Sequence, residues 1–237
     1  MKLMEQVKDG VIISCQALPN EPLHGSEIMA RMALAAAMGG AVAIRSNSRE
    51  DVAAIKAAVQ LPVIGLVKRD YEGFEVFITP THKEIDELIE AGADMIALDA
   101  TRRPRPEGCK LEDLVHYMKS KGVPIMADVS TLEEAQYAAE LGVDCVSTTL
   151  SGYTSYSPQL EGPDFNIVEQ AAKLLKIPVI AEGRIKQPAH VEAMLKLGAH
   201  SVVVGGAITR PQLIALDFTA AAAKHRRAVR NGDQITS

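Results

Sequence analysis

The 237-residue chain has no tryptophan, and aromatic residues make up only 4% of it. Base-stacking platforms and aromatic sugar clamps are therefore not expected. Positive charge is not in excess: 25 basic residues face 30 acidic ones, for a net charge of −5. A polyanion-binding surface, which needs clustered lysine and arginine, is therefore not expected. The three cysteines, Cys15, Cys109 and Cys145, form no CxxC pair, and their odd number leaves a disulfide framework incomplete. Reduced thiols of a cytosolic protein are the expected state. No apolar run reaches the roughly 18–20 residues of a membrane span, and Met1–Gly10 lacks the apolar stretch of a signal peptide. A soluble, cytoplasmic chain is expected. Missing too are G-x-G-x-x-G after the first apolar run and G-x-S-x-G anywhere. What remains is ordinary globular composition, 47% hydrophobic and 23% charged, rich in Ala and Gly. One domain spanning 1–237 is expected, ending in a basic tail at 224–237 whose cations suit the C-terminal end of a last helix.

Two phrases recur along the chain. A proline opens a short apolar run at Pro62–Lys68, Pro124–Asp128 and Pro178–Glu182. A glycine precedes another at Gly39–Arg45, Gly92–Asp99, Gly142–Thr148 and Gly198–Gly205, and with Gly10–Cys15 the runs number eight in four pairs. Proline is tolerated at the first residue of a strand, and glycine just past a helix supplies a left-handed cap. Continuously apolar runs fit parallel strands covered on both faces. Amphipathic stretches lie between them at Ser48–Ala58, Thr81–Ala91, Leu111–Lys121, Thr131–Leu141, Asp164–Lys176 and Gln187–Leu197. Ser130-Thr-Leu-Glu-Glu and Thr81-His-Lys-Glu carry capping-box chemistry. Eight strand–helix units in this length point to an α/β fold, a single (β/α)8 TIM barrel of parallel strands, with a doubly wound open sheet as the alternative. Inserts at Arg69–Thr79, Arg102–Lys110 and Ser151–Pro163 follow strands and so decorate the carboxyl face, where barrel active sites form.

Polar residues ending the runs are then the candidates for chemistry: Gln16, Arg45, Lys68, Asp99, Asp128, Thr148 with Thr149, Glu182, and Gly205 with Gly206. Alternation along a strand puts Lys68 on the side of Ile64 and Leu66, Asp128 with Met126, and Glu182 with Ile180. A lysine and two carboxylates then crown one cavity. The segment Val202–Pro211 reads as a strand, a Gly-Gly turn and a helix opened by proline. With Gly183 and Arg184 after the seventh run, and Arg210 after the eighth, it makes a candidate phosphate grip from backbone N–H groups and guanidinium. None of the six histidines ends a run, so a His–carboxylate metal site is not expected. Cys15 ends the first run, but no His ends another, and it reads as packed thiol.

Several stretches together resemble the N-acetylmannosamine-6-phosphate 2-epimerase family of bacterial sialic acid catabolism. They are Ile13–Leu18, Ala43–Arg45, Ile64–Asp70, Ile78–Thr81, Leu98–Thr101 with Arg103–Pro106, Ala127–Thr131, Thr148–Thr154, Ile180–Arg184 and Val203–Pro211. The segment Ile214–Phe218 departs from the pattern at Ala215, where Thr is expected. The resemblance implies inversion at C2 of a phosphosugar without a cofactor, by proton removal next to the open-chain aldehyde. It implies Lys68 and Glu182 as the catalytic pair, and Gln16, Arg45, Asp128, Thr149 and Tyr153 against the sugar. The phosphate is expected on Gly183, Gly205 and Gly206 with Arg184 or Arg210, and the resemblance favours a homodimer. A non-catalytic phosphosugar sensor, or another phosphate-binding barrel isomerase or synthase, are the alternatives.

Overall fold

The computed structural model describes residues 2–231, with side chains as far as residue 227. Eight strands, β1 (Val11–Cys15), β2 (Ala43–Asn47), β3 (Val63–Leu66), β4 (Met95–Asp99), β5 (Ile125–Asp128), β6 (Cys145–Ser147), β7 (Val179–Ala181) and β8 (Ser201–Val204), pair in parallel and in chain order. β8 returns to β1, so the sheet is a closed (β/α)8 barrel and the open-sheet alternative falls. The helices are α1 (Lys2–Val7), α2 (Ser26–Met38), α3 (Arg49–Ala58), α4 (His82–Glu90), α5 (Leu111–Ser120), α6 (Leu132–Leu141), α7 (Phe165–Leu174), α8 (Pro188–Lys196), α9 (Gly206–Thr209) and α10 (Pro211–Asn231).

The recurring phrases have a common mechanical meaning. Pro62, Pro124 and Pro178 stand one residue before β3, β5 and β7, where no donor is needed, while their carbonyls accept the N–H groups of Ile44, Ile96 and Val146. In the glycine phrases Asp94 and Asp144 reach across, and their carboxylates accept the first N–H of β3 (2.8 Å) and β5 (2.7 Å). Gly92, Gly142 and Gly198 take the left-handed conformation past their helices, with φ of +79°, +79° and +97°. In the doublet after α2 it is Gly40 (φ +90°), and not Gly39, that does so. Thr81 with Glu84 and Thr131 with Glu134 form the two capping boxes expected at α4 and α6.

Alternation sorts the core into two layers. Ile12, Ala43, Ile64, Leu66, Met95, Ala97, Met126, Cys145, Ile180 and Val203 fill the barrel interior. Their neighbours along each strand, Ile13, Ile44, Val63, Ile96, Ile125, Val146, Val179 and Val202, pack against the helices. Gly65 is required by close approach, since a Cβ there would stand 2.8 Å from Leu88 Cδ2 and 3.0 Å from Ala93 Cβ. The sequence gives no hint of α1, which closes the amino end: Val7 joins the interior layer, and His200 Nε2 donates to Met4 O at 2.7 Å.

The C-terminal segment departs from expectation. The Gly-Gly turn leads not into one proline-opened helix but into the four-residue α9, after which Arg210 breaks the chain and Pro211 starts α10. Residues 224–231 of the expected basic tail continue α10, and 232–237 lie outside the described residues. α10 carries exposed apolar side chains, Phe218 at 77% exposure among them. Among the described residues no helix is long and apolar enough to cross a membrane.

Candidate active site

The inward-facing row that forms the apolar interior turns polar one step further up six of the eight strands. Ser14 and Gln16 follow Ile12; Arg45 follows Ala43; Lys68 follows Leu66; Asp128 follows Met126; Ser147 and Thr149 follow Cys145; Glu182 follows Ile180. A cavity of about 660 Å³ opens at this level, lined by Gln16, Arg45, Lys68, Thr149, Tyr153 and Glu182 among others. Gly183, Arg184, Gly205, Gly206 and Arg210 line it too. Asp128 lies beneath, fully buried. The residues expected to gather at the carboxyl face therefore do gather, with the exceptions of Thr148, whose hydroxyl bonds the backbone of Glu182, and Asp99. Its carboxylate accepts from Thr101 Oγ1 (2.6 Å) and Arg103 Nη2 (2.7 Å) in the β4 loop and takes no part in the cavity.

One wall is an ion network in which, among the described residues, Arg45 Nε is left buried without a partner. Arg45, 1% exposed, holds Asp128 through two parallel bonds, Nη1 to Oδ1 at 3.0 Å and Nη2 to Oδ2 at 2.5 Å. The same Nη1 lies 3.0 Å from Glu182 Oε2. Thr149 Oγ1 stands between the carboxylates, 2.8 Å from Asp128 Oδ1 and 2.9 Å from Glu182 Oε2, and Ser147 Oγ backs it at 2.8 Å. Burial alone would weaken the guanidinium charge, but Asp128 and Glu182 more than offset it and raise the Arg45 pKa. Burial raises the pKa of the Asp128 carboxyl, against the pull of Arg45.

Lys68 faces this wall from β3 and is built differently. Its backbone N–H donates to Asn47 Oδ1 at 2.7 Å, yet among the described residues its Nζ has no hydrogen-bond or ion-pair partner. Burial, followed by repulsion from Arg45 and Arg210, pulls its pKa down to about 8. A neutral amine is thus present in a useful fraction near neutrality. Gln16 donates to Ser14 Oγ (2.8 Å) and leaves its Oε1 buried without a partner.

The two arginines of the expected phosphate grip differ in what already holds them. Arg184 donates to the carbonyls of Gly162 (2.7 Å) and Ser151 (3.0 Å), lies over the Tyr153 ring, and keeps a buried Nη2 without partner. Arg210 is paired with Glu21, Nε to Oε1 at 2.8 Å and Nη2 to Oε2 at 3.0 Å. Sequence reasoning missed Glu21, Asn47 and Ser147. Only the position of Asn47, two residues beyond Arg45 in β2, carried a readable signal.

Residues 29–224 match the model of the family described as "Putative N-acetylmannosamine-6-phosphate epimerase". The chain belongs to this family. A relative named "Putative N-acetylmannosamine-6-phosphate 2-epimerase" from Clostridioides difficile is 55% identical over 219 residues, 92% of this chain and 98% of that one. One of the same name from an Enterobacter is 53% identical over 227 residues, 94% and 97% of the two chains. The solved N-acetylmannosamine-6-phosphate 2-epimerase of Clostridium perfringens superposes with a TM-score of 0.91 at 54% identity, covering 92% of this chain and 96% of that one. A thiamine phosphate pyrophosphorylase from Pyrococcus furiosus, at TM-score 0.61 and 19% identity, shares the fold alone.

The remaining sequence candidates lie off the cavity. Cys15 is buried between barrel and helices, and burial pushes its thiol up to about 12, in keeping with a packed, inert residue. Among the described residues no three His, Cys, Asp or Glu side chains converge as metal ligands would.

Proposed function

We propose that the chain interconverts N-acetylmannosamine 6-phosphate and N-acetylglucosamine 6-phosphate by exchanging the proton at C2 of the open-chain sugar, with no added cofactor. The observation that carries the reading is the unpartnered, partly desolvated Lys68 amine facing a wall where Arg45, Asp128 and Glu182 are paired with one another. The names of the relatives supply the substrate class.

In this reading the neutral Lys68 amine takes the proton from C2, and the C–H electron pair moves through C1 onto the aldehyde oxygen. The ammonium so formed stabilises the enolate charge at the moment it appears. Inversion needs a proton delivered to the opposite face. Glu182, the carboxylate of the facing wall that lines the cavity, passes the anomeric hydroxyl proton to the ring oxygen during ring opening. It then takes a proton from solvent and delivers it to C2, while the Lys68 ammonium returns its proton to solvent. Arg45 and Asp128 hold Glu182 in place, while Gln16 Oε1, Thr149 and Tyr153 contact sugar hydroxyl and acetamido groups. The phosphate sits between the turns after β7 and β8, on the amides of Gly183, Gly205 and Gly206, with Arg184 Nη2 and the free edge of Arg210 turned to it. The exposed apolar residues of α10, with Ala220–Ala223, support a homodimer built on that helix. One domain in the cytoplasm completes the reading.

Proton NMR of N-acetylmannosamine 6-phosphate with the enzyme in D2O, run with and without chelator, tests it. Formation of the gluco epimer carrying deuterium at C2 in both samples is expected. A phosphosugar sensor would shift resonances without turnover, and activity lost to the chelator would remove the cofactor-free mechanism.

A further inference from the structure

Lys68 lies two residues beyond the end of β3, where a barrel strand has normally dissolved into loop. β3 and β4 pair only through Ile64–Met95 and Gly65–Ile96, so their upper ends splay apart. The gap is filled by the end of the 69–79 insert. Ile78 bridges Lys68 in antiparallel fashion, Arg69 N donates to Phe77 O at 2.9 Å, and Thr79 N donates to Val67 O at 2.7 Å. On the other flank Asp99 N donates to Ile78 O at 3.0 Å, and Thr79 Oγ1 donates to Ala97 O at 2.7 Å. The same hydroxyl accepts from Val67 N at 3.2 Å. Residues 77–79 thus act as a wedge completing the hydrogen bonding of both strands, while Ile78 and Phe77 wall the cavity.

The wedge holds its shape at a conformational cost. Thr79 has φ of +47° and is fully buried. A β-branched residue is a rare occupant of that region, and one followed by proline, here Pro80, is disfavoured further. Such an outlier persists only where its surroundings over-determine it, and such outliers cluster at functional sites. We infer that Thr79 is a positioning residue: its hydroxyl and strained backbone lock the 77–79 wedge between β3 and β4 and so hold the Lys68 amine in its unpartnered place facing Glu182. The inference rests on the catalytic reading of Lys68 given above.

Thr79→Val removes the hydroxyl at nearly constant shape, and Thr79→Ser keeps it. The groups that set the Lys68 amine are Arg45 from β2, Asp128 from β5, Glu182 after β7 and Arg210 after α9, and none is touched by either change. With Thr79→Val, kcat is expected to fall about tenfold or more while KM stays within about twofold, as for a lost transition-state alignment. The pH limb of Lys68 should move up toward the ordinary lysine value as the amine gains water. Thr79→Ser should restore both. The Lys68 titration followed by NMR on lysine-labelled protein should show the same upward movement without substrate. That readout separates failure of this inference from failure of the catalytic one. An unchanged Lys68 titration in a folded Thr79→Val protein would overturn the positioning role. So would a fall in kcat that Thr79→Ser does not rescue. If Thr79→Val does not fold, Asn47→Leu, which removes the acceptor of the Lys68 N–H from the β2 side, should give the same upward shift. An unmoved titration there would count equally against it.

Discussion

Two cations face the same cavity from adjacent strands, and their surroundings are opposite. Arg45 on β2 spends its guanidinium on two carboxylates and is sealed from water. Lys68 beyond β3 is held firmly by its backbone and not at all by its charge. In the proposed mechanism the difference is one of task. A charge that positions other groups is best paired and permanent, and arginine supplies a planar, always-protonated fork. A group that moves protons has to be able to lose its charge, which a partnered ammonium resists. The barrel keeps them apart by putting Asp128 at the end of β5 and Glu182 just past β7, neither strand adjacent to β3, so that they raise the Lys68 pKa less than burial and the neighbouring arginines lower it.

The most severe way to break the comparison is Lys68→Met. Epimerisation should fall by about 10³-fold or more, in the range expected for loss of a general base with its positioning. Residual turnover near wild type would place the base elsewhere. Arg45→Ala attacks the other side and should act on stability, because it leaves Asp128 buried without its counter-ion. A loss of about 3–5 kcal/mol is expected in urea denaturation, and a change under 1 kcal/mol would mean that the pair is replaceable. The smallest effect has the opposite sign. Lys68 has a lower pKa folded than unfolded, so below pH 8 the native state carries the full cost of a desolvated ammonium. Between pH 8 and the ordinary lysine value the unfolded chain binds more protons, and wild-type stability rises with pH. Lys68→Met should therefore be more stable than wild type at pH 7 by on the order of 1 kcal/mol, with the gap closing toward pH 10. A gap that does not change with pH would mean that Lys68 is not desolvated.

The contrast also marks what the sequence could disclose. Strands could be read because Pro62, Pro124 and Pro178 stand at their starts and because buried parallel strands are uniformly apolar. Strand alternation then put Lys68, Asp128 and Glu182 on one side, and the closed barrel places Lys68 and Glu182 on one cavity with Asp128 beneath it. Partnership was not readable in the same way. Arg210 finds Glu21 from 189 residues away and Arg45 finds Asp128 from 83, pairings created only by closure of the barrel. Thr79 gives no sign of its left-handed backbone, since that conformation opposes its own preference and is imposed by tertiary hydrogen bonds. The break at Arg210 and helix α1 were hidden for a related reason: each is too short for a periodic pattern to develop.

In the proposed mechanism Lys68 acts as a free amine, and the most direct test is the rate of deuterium entry at C2 of N-acetylmannosamine 6-phosphate in D2O as a function of pH. The rate should rise about tenfold per unit on the acid side and level off near the value of about 8 that burial and the two arginines give Lys68. Epimerisation without deuterium entry, or exchange that ignores pH through this range, would contradict it.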